Sequence, residues 1–222
     1  MKKTLLLGPG GHASVVLEIL KQYDNIDILG FTDADYPKVK EYKSYPVLGT
    51  DNKLENVFKN DKANYAFITV GSTGDNILRK KLYDKIISFG FKSLNIIDEN
   101  SLISSNVTLG IANLVSPGVK INSDVIIGNN NIINTGSIIE HGSRIGDHVH
   151  IAPGAILAGN VMIDDLVHIG LGAKIIENVK VGKNSLIGAG SVIIEDVPKN
   201  SVVVGNPGKI IRKRGDCNGK KY

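Results

Sequence analysis

Five histidines are the side chains of this sequence best suited to proton transfer near neutral pH, because an imidazole ordinarily has a pKa of about 6.5. They are His12, His141, His148, His150 and His168, and the last four cluster in one stretch of the second half. Imidazole is also a common zinc ligand. No cysteine or carboxylate stands at an obvious spacing to complete a zinc site, so we favour proton transfer over metal binding.

A glycine-rich loop near the N-terminus has the spacing of a phosphate-binding turn. Gly8, Gly10 and Ala13 fit the pattern G-x-G-x-x-A between a predicted strand and a predicted helix. Glycines permit the tight turn and let phosphate oxygens approach the backbone at the helix N-terminus. His12, within this loop, either holds phosphates or orders the loop. The alternative is that the glycines serve only the turn itself.

An acidic residue stands where it can complete such a site. Asp33 follows the glycine loop at the end of the second predicted strand, where a carboxylate can hydrogen-bond a ribose or a base. Binding of NAD is the rival interpretation, but a domain of about 100 residues lacks the second half that a full dinucleotide needs.

A six-residue repeat carries every histidine except His12. An aliphatic residue recurs at every sixth position from Ile103 to Ile193, through sixteen hexads without a break. This period fits neither an α-helix nor a plain strand, but it fits a short strand and a turn with one large side chain inward. Three hexads close one coil, and stacked coils bury a common core. The repeat predicts a left-handed parallel β-helix, with a β-sandwich as the alternative.

The same repeat places the histidines relative to one another. His150 and His168 are three whole hexads apart, which puts them on the same face of successive coils. His141 and His150 are one and a half hexads apart, so they lie on different faces and would meet only across a subunit boundary or an edge. For His148 and His168 we favour a solvated or packed surface histidine without a chemical role.

The first hundred residues alternate between strand and helix patterns. Strands are predicted over residues 2–8, 26–32, 64–71 and 93–97, and helices after the glycine loop, from Asp51 and over residues 75–89. Such alternation predicts a small Rossmann-like domain with a parallel sheet, ending near residues 98–102. The last helix is expected to turn five side chains inward: Ile77, Leu78, Leu82, Ile86 and Ile87.

Composition narrows the class of protein further. A net charge of +4, without an aromatic-rich basic stretch, argues against a nucleic-acid-binding protein. The single cysteine, Cys217, cannot form an intrachain disulfide, which fits a cytoplasmic protein. The N-terminal apolar run is too short for a signal peptide, and no segment reaches the ~20 apolar residues of a membrane span.

Five blocks of sequence carry a resemblance to a known family. They are GPGGHAS at 8–14, FTDAD at 31–35, INTGSIIEHGSRIGDHVHIAPGA at 133–155, AGN at 158–160 and VGNPGK at 204–209. Through them nearly the whole chain resembles the bacterial nucleotide-sugar N-acetyltransferases of the hexapeptide-repeat superfamily. The bacillosamine-pathway and perosamine N-acetyltransferases and the sialic-acid O-acetyltransferase-like proteins are the most similar groups. The long central block is the specific one.

The resemblance implies a reaction and an assembly. The reaction is acetyl transfer from acetyl-CoA to the 4-amino group of a nucleotide-linked 4-amino-6-deoxysugar, in bacterial surface-glycan or glycoprotein biosynthesis. Residues 1–100 are expected to hold the nucleotide-sugar, and residues 101–222 to hold acetyl-CoA. The β-helix is expected to form a homotrimer with active sites between subunits, and no metal is expected.

The resemblance also assigns site residues. His141 matches the catalytic base, with Glu140 beside it, and the Gly159 N–H can face the oxyanion. Substrate contacts are expected at Gly8, Gly10, Gly11, His12, Asp33, Asp35, Gly71 and Asn134. Cofactor contacts are expected at His150, Gly159, Leu171, Asn206, Pro207 and Lys209. His150 matches a histidine near the thioester, and residues past Gly215 are expected to form a frayed basic terminus.

One position departs from the family pattern, because Gly142 stands where a carboxylate usually follows the catalytic histidine. A carboxylate there would orient the imidazole and stabilise its protonated form. Its role can fall to Glu140, or the acceptor can differ. Two alternatives therefore stay open: a sugar O-acetyltransferase of the sialic-acid type and a non-catalytic trimeric scaffold. A hydroxyl needs a stronger base than an amine, so Gly142 counts mildly against the first.

Overall fold

A computed structural model of the chain describes residues 1–60 and 62–214. Two compact units make up the chain. The α/β unit comprises Met1–Ser72 and Ile77–Ile96, and the β-helix unit comprises Thr73–Asn76 and the chain from Ile97 onward. Among the described residues, no helix is long and apolar enough to cross a membrane.

The α/β unit is a five-stranded sheet with three helices, and its parallel Rossmann-like character is confirmed. The strands are β1 (Lys2–Leu7), β2 (Ile26–Thr32), β3 (Glu41–Tyr42), β4 (Tyr45–Gly49) and β5 (Tyr65–Ile68), in the order β3-β4-β2-β1-β5. The helices are α1 (Gly11–Leu20), α2 (Leu54–Lys59) with a 3₁₀ turn at Asp51–Lys53 before it, and α3 (Ile77–Ser88). All neighbouring strands are parallel except the β3-β4 hairpin.

This unit differs from the sequence prediction in two places. Residues 93–97 do not form a fourth strand of the sheet: Lys92 makes only an isolated bridge to Tyr65, and strand β6 (Ile96–Ile97) falls at the unit boundary. The β3-β4 hairpin lies outside the prediction. Its turn residues, Lys43 and Ser44, adopt positive φ angles without the glycine or asparagine that usually marks such a turn.

Helix α3 also buries a different face from the one predicted. Leu82 and Ile86 are buried as expected, but the prediction is wrong for three residues that are exposed: Ile77, Leu78 and Ile87. Arg79 takes the inward position instead and is only 3% exposed. A charged side chain at a helical core position gives no apolar signal, so the periodicity alone misses it.

The β-helix unit contains sixteen two-residue strands, one for each hexad of the repeat. They are β7 (Leu102–Ile103), β8 (Thr108–Leu109), β9 (Leu114–Val115), β10 (Lys120–Ile121), β11 (Ile126–Ile127), β12 (Ile132–Ile133), β13 (Ile138–Ile139), β14 (Arg144–Ile145), β15 (His150–Ile151), β16 (Ile156–Leu157), β17 (Met162–Ile163), β18 (His168–Ile169), β19 (Lys174–Ile175), β20 (Lys180–Val181), β21 (Leu186–Ile187) and β22 (Val192–Ile193). The predicted left-handed β-helix is therefore confirmed.

Each strand from β7 to β19 pairs in parallel with the strand three hexads further on, as Lys120 does with Ile138, so the coils stack into three sheets. The aliphatic ladder forms the core, and only its first members, Ile103 and Leu109, are partly buried, because no coil stacks on their outer side. At the other end β23 (Ser201–Val204) pairs with β21 and folds back antiparallel onto β24 (Lys209–Lys213).

The corners of the coil are set by residues with positive φ, which recur every six positions. They are Ala112, Gly118, Asp124, Asn130, Gly136, Gly142, His148, Gly154, Asn160, Leu166, Gly172, Asn178, Asn184 and Gly190. One corner uses glycine in every coil: Gly118, Gly136, Gly154, Gly172 and Gly190. The absence of Cβ atoms leaves that corner as bare backbone.

Candidate active site

His141 lies in the turn after β13, directly over the backbone of Gly159 in the next coil. A Cβ atom at position 159 would come within 2.8 Å of His141 Cε1 and 2.9 Å of Nε2. Any side chain there would displace the ring, so the site requires glycine. The backbone joins the same two turns, because the Asn160 N–H donates to the His141 carbonyl at 2.8 Å.

The two residues offer complementary groups for acyl transfer. The His141 ring is exposed, which leaves it accessible to a substrate. Within the described chain, the Gly159 N–H donates none of the backbone hydrogen bonds. A base and an unused N–H donor, held side by side, are what an acyl transfer needs for its proton and its oxyanion.

The structure accounts for Gly142. This residue has a φ of +69°, and a Cβ there would collide with Asn160 Oδ1. The side chain of Asn160 therefore occupies the space that a carboxylate-bearing residue would need. Both the backbone conformation and the neighbouring coil favour glycine at this corner.

Glu140 is engaged away from the base. Its carboxylate accepts a hydrogen bond from Asn122 Nδ2 at 2.9 Å, one coil earlier. It also lines a surface cavity of about 590 Å³, beside Lys120 and Ile138. Among the residues described, no hydrogen bond joins Glu140 to His141. A role for Glu140 in catalysis stays a prediction.

His150 is held in one orientation by Asn134. Asn134 Oδ1 accepts the Thr135 N–H at 2.8 Å, which fixes the amide and directs its Nδ2 to His150 Nε2 at 3.2 Å. Because an amide nitrogen can only donate, His150 Nε2 accepts and the neutral ring carries its proton on Nδ1. The two residues that the sequence assigned to different ligands thus contact each other.

His168 stacks on His150 in the next coil, as the three-hexad spacing predicts. The ring centroids are 4.8 Å apart and the planes meet at 87°. Burial, together with the nearby Arg214 guanidinium, lowers the pKa of His168 to about 4. At neutral pH the ring is therefore uncharged.

The prediction of surface positions for His148 and His168 is wrong, because both residues are buried. His148 packs at a corner with positive φ, and its Nδ1 lies 3.0 Å from Asn130 Nδ2. The hexad pattern leaves the burial of these residues open, since it reports the inward ladder and not what covers the outward positions. No cluster of three metal-ligating side chains occurs within residues 1–60 and 62–214.

The glycine loop of the α/β unit forms a tight turn into α1. Gly8 has a φ of +90°, its N–H donates to Thr32 at 2.9 Å, and a Cβ there would collide with Val70 Cγ2. Gly10 precedes Gly11, the first residue of α1, and no side chain caps this helix or adds an acidic group to its first turn. The positive end of the helix is thus available to an anion.

His12 is packed beneath the loop and uncharged. A Cβ at Gly71 would lie 3.2 Å from His12 Cβ, so the glycine admits the ring. Burial, with a contribution from the charge of Arg79, lowers the pKa of His12 to about 4. Its Nε2 has no partner among the described residues.

Two residues that sequence reasoning missed shape this loop. Arg79 donates from Nη1 to the carbonyls of Ile68 at 3.0 Å and Val70 at 2.5 Å, where β5 ends. Tyr42 donates its hydroxyl proton to the Gly10 carbonyl at 2.7 Å. Neither residue stands in a motif, so only the folded chain brings them to the loop.

The acidic pair after β2 forms its own turn. Asp33 Oδ1 accepts the Asp35 N–H at 2.6 Å, and the Asp33 N–H donates to Gly49 at 3.0 Å. Asp33 is half-buried and Asp35 is exposed. The second Asp33 oxygen and the Asp35 carboxylate are the groups left for a ligand.

The remaining predicted cofactor residues lie on the β-helix unit. Asn206 and Pro207, joined by a cis peptide bond, form the turn between β23 and β24, and Lys209 starts β24. Leu171 is 58% exposed and immediately precedes Gly172 of the all-glycine corner. Cys217 and the residues past Gly215 lie outside the described residues.

A family model matches most of the α/β unit, and solved structures match nearly the whole chain. Residues 3–86 match the PglD N-terminal domain family. PerB from Caulobacter crescentus, solved with CoA and GDP-perosamine, is 34% identical, with 95% of this chain and 97% of that chain covered and a TM-score of 0.87.

Two further solved structures are similar along their whole length. The acetyltransferase domain of PglB from Neisseria gonorrhoeae FA1090, in complex with acetyl coenzyme A, is 28% identical (95% and 99% covered, TM-score 0.82). WeeI from Acinetobacter baumannii AYE is 27% identical (95% and 100% covered, TM-score 0.83). No curated protein matched the chain.

Proposed function

The chain belongs to the acetyl-CoA-dependent nucleotide-sugar N-acetyltransferases of the hexapeptide-repeat β-helix type, and from this membership we propose its reaction. It moves the acetyl group of acetyl-CoA to the 4-amino group of a nucleotide-linked 4-amino-6-deoxysugar, in bacterial surface-glycan or glycoprotein biosynthesis. The observation that carries the proposal is the His141 ring lying against the Gly159 backbone. PerB, solved with CoA and GDP-perosamine, supports the choice of both substrates.

His141 acts as the base. The amine lone pair attacks the thioester carbonyl, and His141 takes a proton from the nitrogen as the new bond forms. The Gly159 N–H donates to the oxygen of the tetrahedral intermediate. When the intermediate collapses, the C–S bond breaks, the amide remains, and the imidazolium returns its proton to the departing CoA thiolate. No metal and no covalent enzyme intermediate is needed.

Acetyl-CoA is assigned to the β-helix unit. We propose that His150 lies near the thioester and that Asn134, which holds it, also contacts the sugar. Leu171 offers an exposed apolar surface beside the bare corner at Gly172. Asn206, Pro207 and Lys209 lie on the terminal hairpin, where the lysine supplies a charge for the CoA phosphates.

The nucleotide-sugar is assigned to the α/β unit. The N-terminus of α1 and the backbone of Gly8, Gly10 and Gly11 suit a diphosphate. Asp33 and Asp35 suit the ribose or base, and His12 packs on Gly71 below the loop. A half-buried His12 that is uncharged at neutral pH favours loop ordering over a charge contact with phosphate.

We propose that three copies associate through their β-helices, with each active site between two subunits. In the described chain no hydrogen bond reaches the His141 ring, although a base needs a neighbour that orients it. Outward apolar side chains support association, since Leu102, Ile126 and Met162 are 66%, 39% and 44% exposed. We assign the reaction to the cytoplasm, where acetyl-CoA and nucleotide-sugars are available.

The test is turnover with acetyl-CoA and a panel of GDP-, UDP- and dTDP-linked 4-amino-6-deoxysugars, with free sialic acid as the hydroxyl acceptor. CoA thiol release should require one of the aminosugars and should fall at least about a hundredfold in His141→Ala. Release with sialic acid alone would favour the O-acetyltransferase, and release with no acceptor tested would favour the scaffold. Undiminished release in the variant would remove His141 from the mechanism. Light scattering of the purified protein tests the trimer.

A further inference from the structure

One column of outward side chains on the β-helix is buried along its whole length. Its members are Leu114, Ile132, His150, His168, Leu186 and Val202. The four residues that flank the two histidines are aliphatic, as burial favours. An aliphatic residue at position 168 would suit this column better than an imidazole, so the histidine calls for an explanation beyond packing.

Three buried polar atoms of His168 and two other residues lack a hydrogen bond in the described chain. His168 Nδ1, Asn76 Oδ1 and Arg214 Nη1 have no hydrogen-bond partner among the described residues. His168 is 9% exposed and Asn76 is 3% exposed. Buried polar groups without partners lower stability, and proteins tend to keep them where function requires them.

Residues 73–76 of the same unit take part in two hydrogen bonds near these atoms. Asn76 donates from Nδ2 to the carbonyl of Val167 at 2.9 Å, next to His168. Arg214 donates from Nη2 to the carbonyl of Gly74 at 2.5 Å. Two hydrogen bonds thus hold residues 73–76, and one of them reaches the carbonyl next to His168.

His150 has two of these contacts in the same unit, one with Asn134 and one with His168. Asn134 holds Nε2 of His150, and the His168 ring meets it edge-on, with the planes at 87°. The first contact fixes where one nitrogen points, and the second limits rotation of the ring about that direction. Together they restrict the orientation of the His150 ring.

We propose that His168 is a positioning residue that holds His150 in the orientation used to bind the acetyl thioester. This inference rests on the proposed function, in which His150 lies at the acetyl donor. His168 itself touches neither substrate. The imidazole of His168 makes the buried column less stable than an aliphatic side chain would, but it positions the His150 ring that binds the donor.

The test replaces His168 with leucine, the residue that follows it in the column. In the full-length protein, His168→Leu should raise the Kd and the KM for acetyl-CoA about tenfold and leave the KM for the nucleotide-sugar unchanged, because only donor binding depends on the orientation of His150. Its Tm should equal or exceed that of the wild type, because a buried polar atom without a partner is removed. Calorimetric titration with acetyl-CoA alone reads the donor site without any acceptor.

Matched variants separate positioning from packing. Leu186→Ile changes the other neighbour of His168 without touching a polar atom, and should keep acetyl-CoA affinity within about twofold. Imidazole ¹⁵N spectra should report a single Nδ1–H form of His150 in the wild type and a mixture in His168→Leu.

The outcomes distinguish the two proposals. Wild-type protein that binds no acetyl-CoA would overturn the proposed function and this inference with it. Wild-type protein that binds acetyl-CoA, beside a His168→Leu variant with equal affinity and an unchanged His150 spectrum, would overturn the inference alone. His168 would then be an ordinary buried histidine.

Discussion

His141 and Gly159 are three hexads apart in the sequence, and one turn of the coil brings the histidine ring against the glycine backbone. The contact has no room for even a methyl group. In the proposed reaction this contact joins the base to the backbone donor, and it makes position 159 a sensitive probe of that reaction.

Replacing Gly159 with alanine should cost activity far more than stability. The new methyl group would meet His141 Cε1 at 2.8 Å and push the exposed ring away. We expect kcat to fall roughly 10²-fold, the scale of a misplaced catalytic group. The change is measured by steady-state kinetics beside Tm, which should stay close to that of the wild type. A variant with normal kcat would show that the ring does not act from this position.

Restoring a carboxylate at position 142 should destabilise the protein. Gly142→Asp places a Cβ on a residue with φ of +69° and against Asn160 Oδ1. We expect a loss of about 1–2 kcal/mol in the free energy of unfolding. The double variant Gly142→Asp/Asn160→Gly removes the collision and should recover part of that loss. If denaturant titrations show that the double variant loses as much stability as the two single variants together, the proposed clash is contradicted.

Acid should destabilise the folded chain through His168. The folded protein takes up this proton only near pH 4, whereas an unfolded histidine takes it up near pH 6.5. Between these values the unfolded state binds more protons, so the free energy of unfolding falls as the pH drops from about 6.5 to about 4. The contribution is on the order of 3 kcal/mol and is fully present above pH 6.5.

His168→Leu is the control for this pH effect. Urea titrations at pH 7 and pH 4.5 should show a smaller difference in unfolding free energy for the variant than for the wild type. Equal differences would mean that His168 does not contribute to the acid sensitivity.

The hydroxyl of Tyr42 should matter for the nucleotide-sugar and not for the acetyl donor. Tyr42→Phe removes the hydrogen bond to the Gly10 carbonyl and keeps the ring in its place against Phe31. The loss of one such bond, about 1 kcal/mol, should raise the KM for the nucleotide-sugar about fivefold. The KM for acetyl-CoA should not change. An equal rise in both would point to a general loosening of the fold.

The sequence predicts the β-helix almost completely because its signal is repeated. An aliphatic residue every six positions fixes the strands from Leu102 to Ile193, and the three-hexad coil then sets which side chains stack. The pairing of His150 with His168 follows from that arithmetic alone. Prediction from sequence is strong here because each neighbour in space is a fixed distance along the chain.

The α/β unit is less predictable because its contacts do not repeat. Arg79 donates to the carbonyls that end β5 from the inward face of α3. The apolar pattern places Ile77 and Leu78 on that face, but both are exposed. The roles of the site residues are harder still to predict from the sequence. The contact of Asn134 with His150 falls outside the three-hexad spacing, and no motif records it.

The open first coil has a consequence for how the protein comes apart. Ile103 and Leu109 keep only one stacked neighbour, while His141 and Gly159 lie in the third and fourth coils, with packed coils on either side. In a stack held by nearest neighbours, thermal fraying starts at such an uncovered end and moves inward. The proposed catalytic groups therefore lie in the part of the molecule that unfolds late, and partial fraying leaves them aligned.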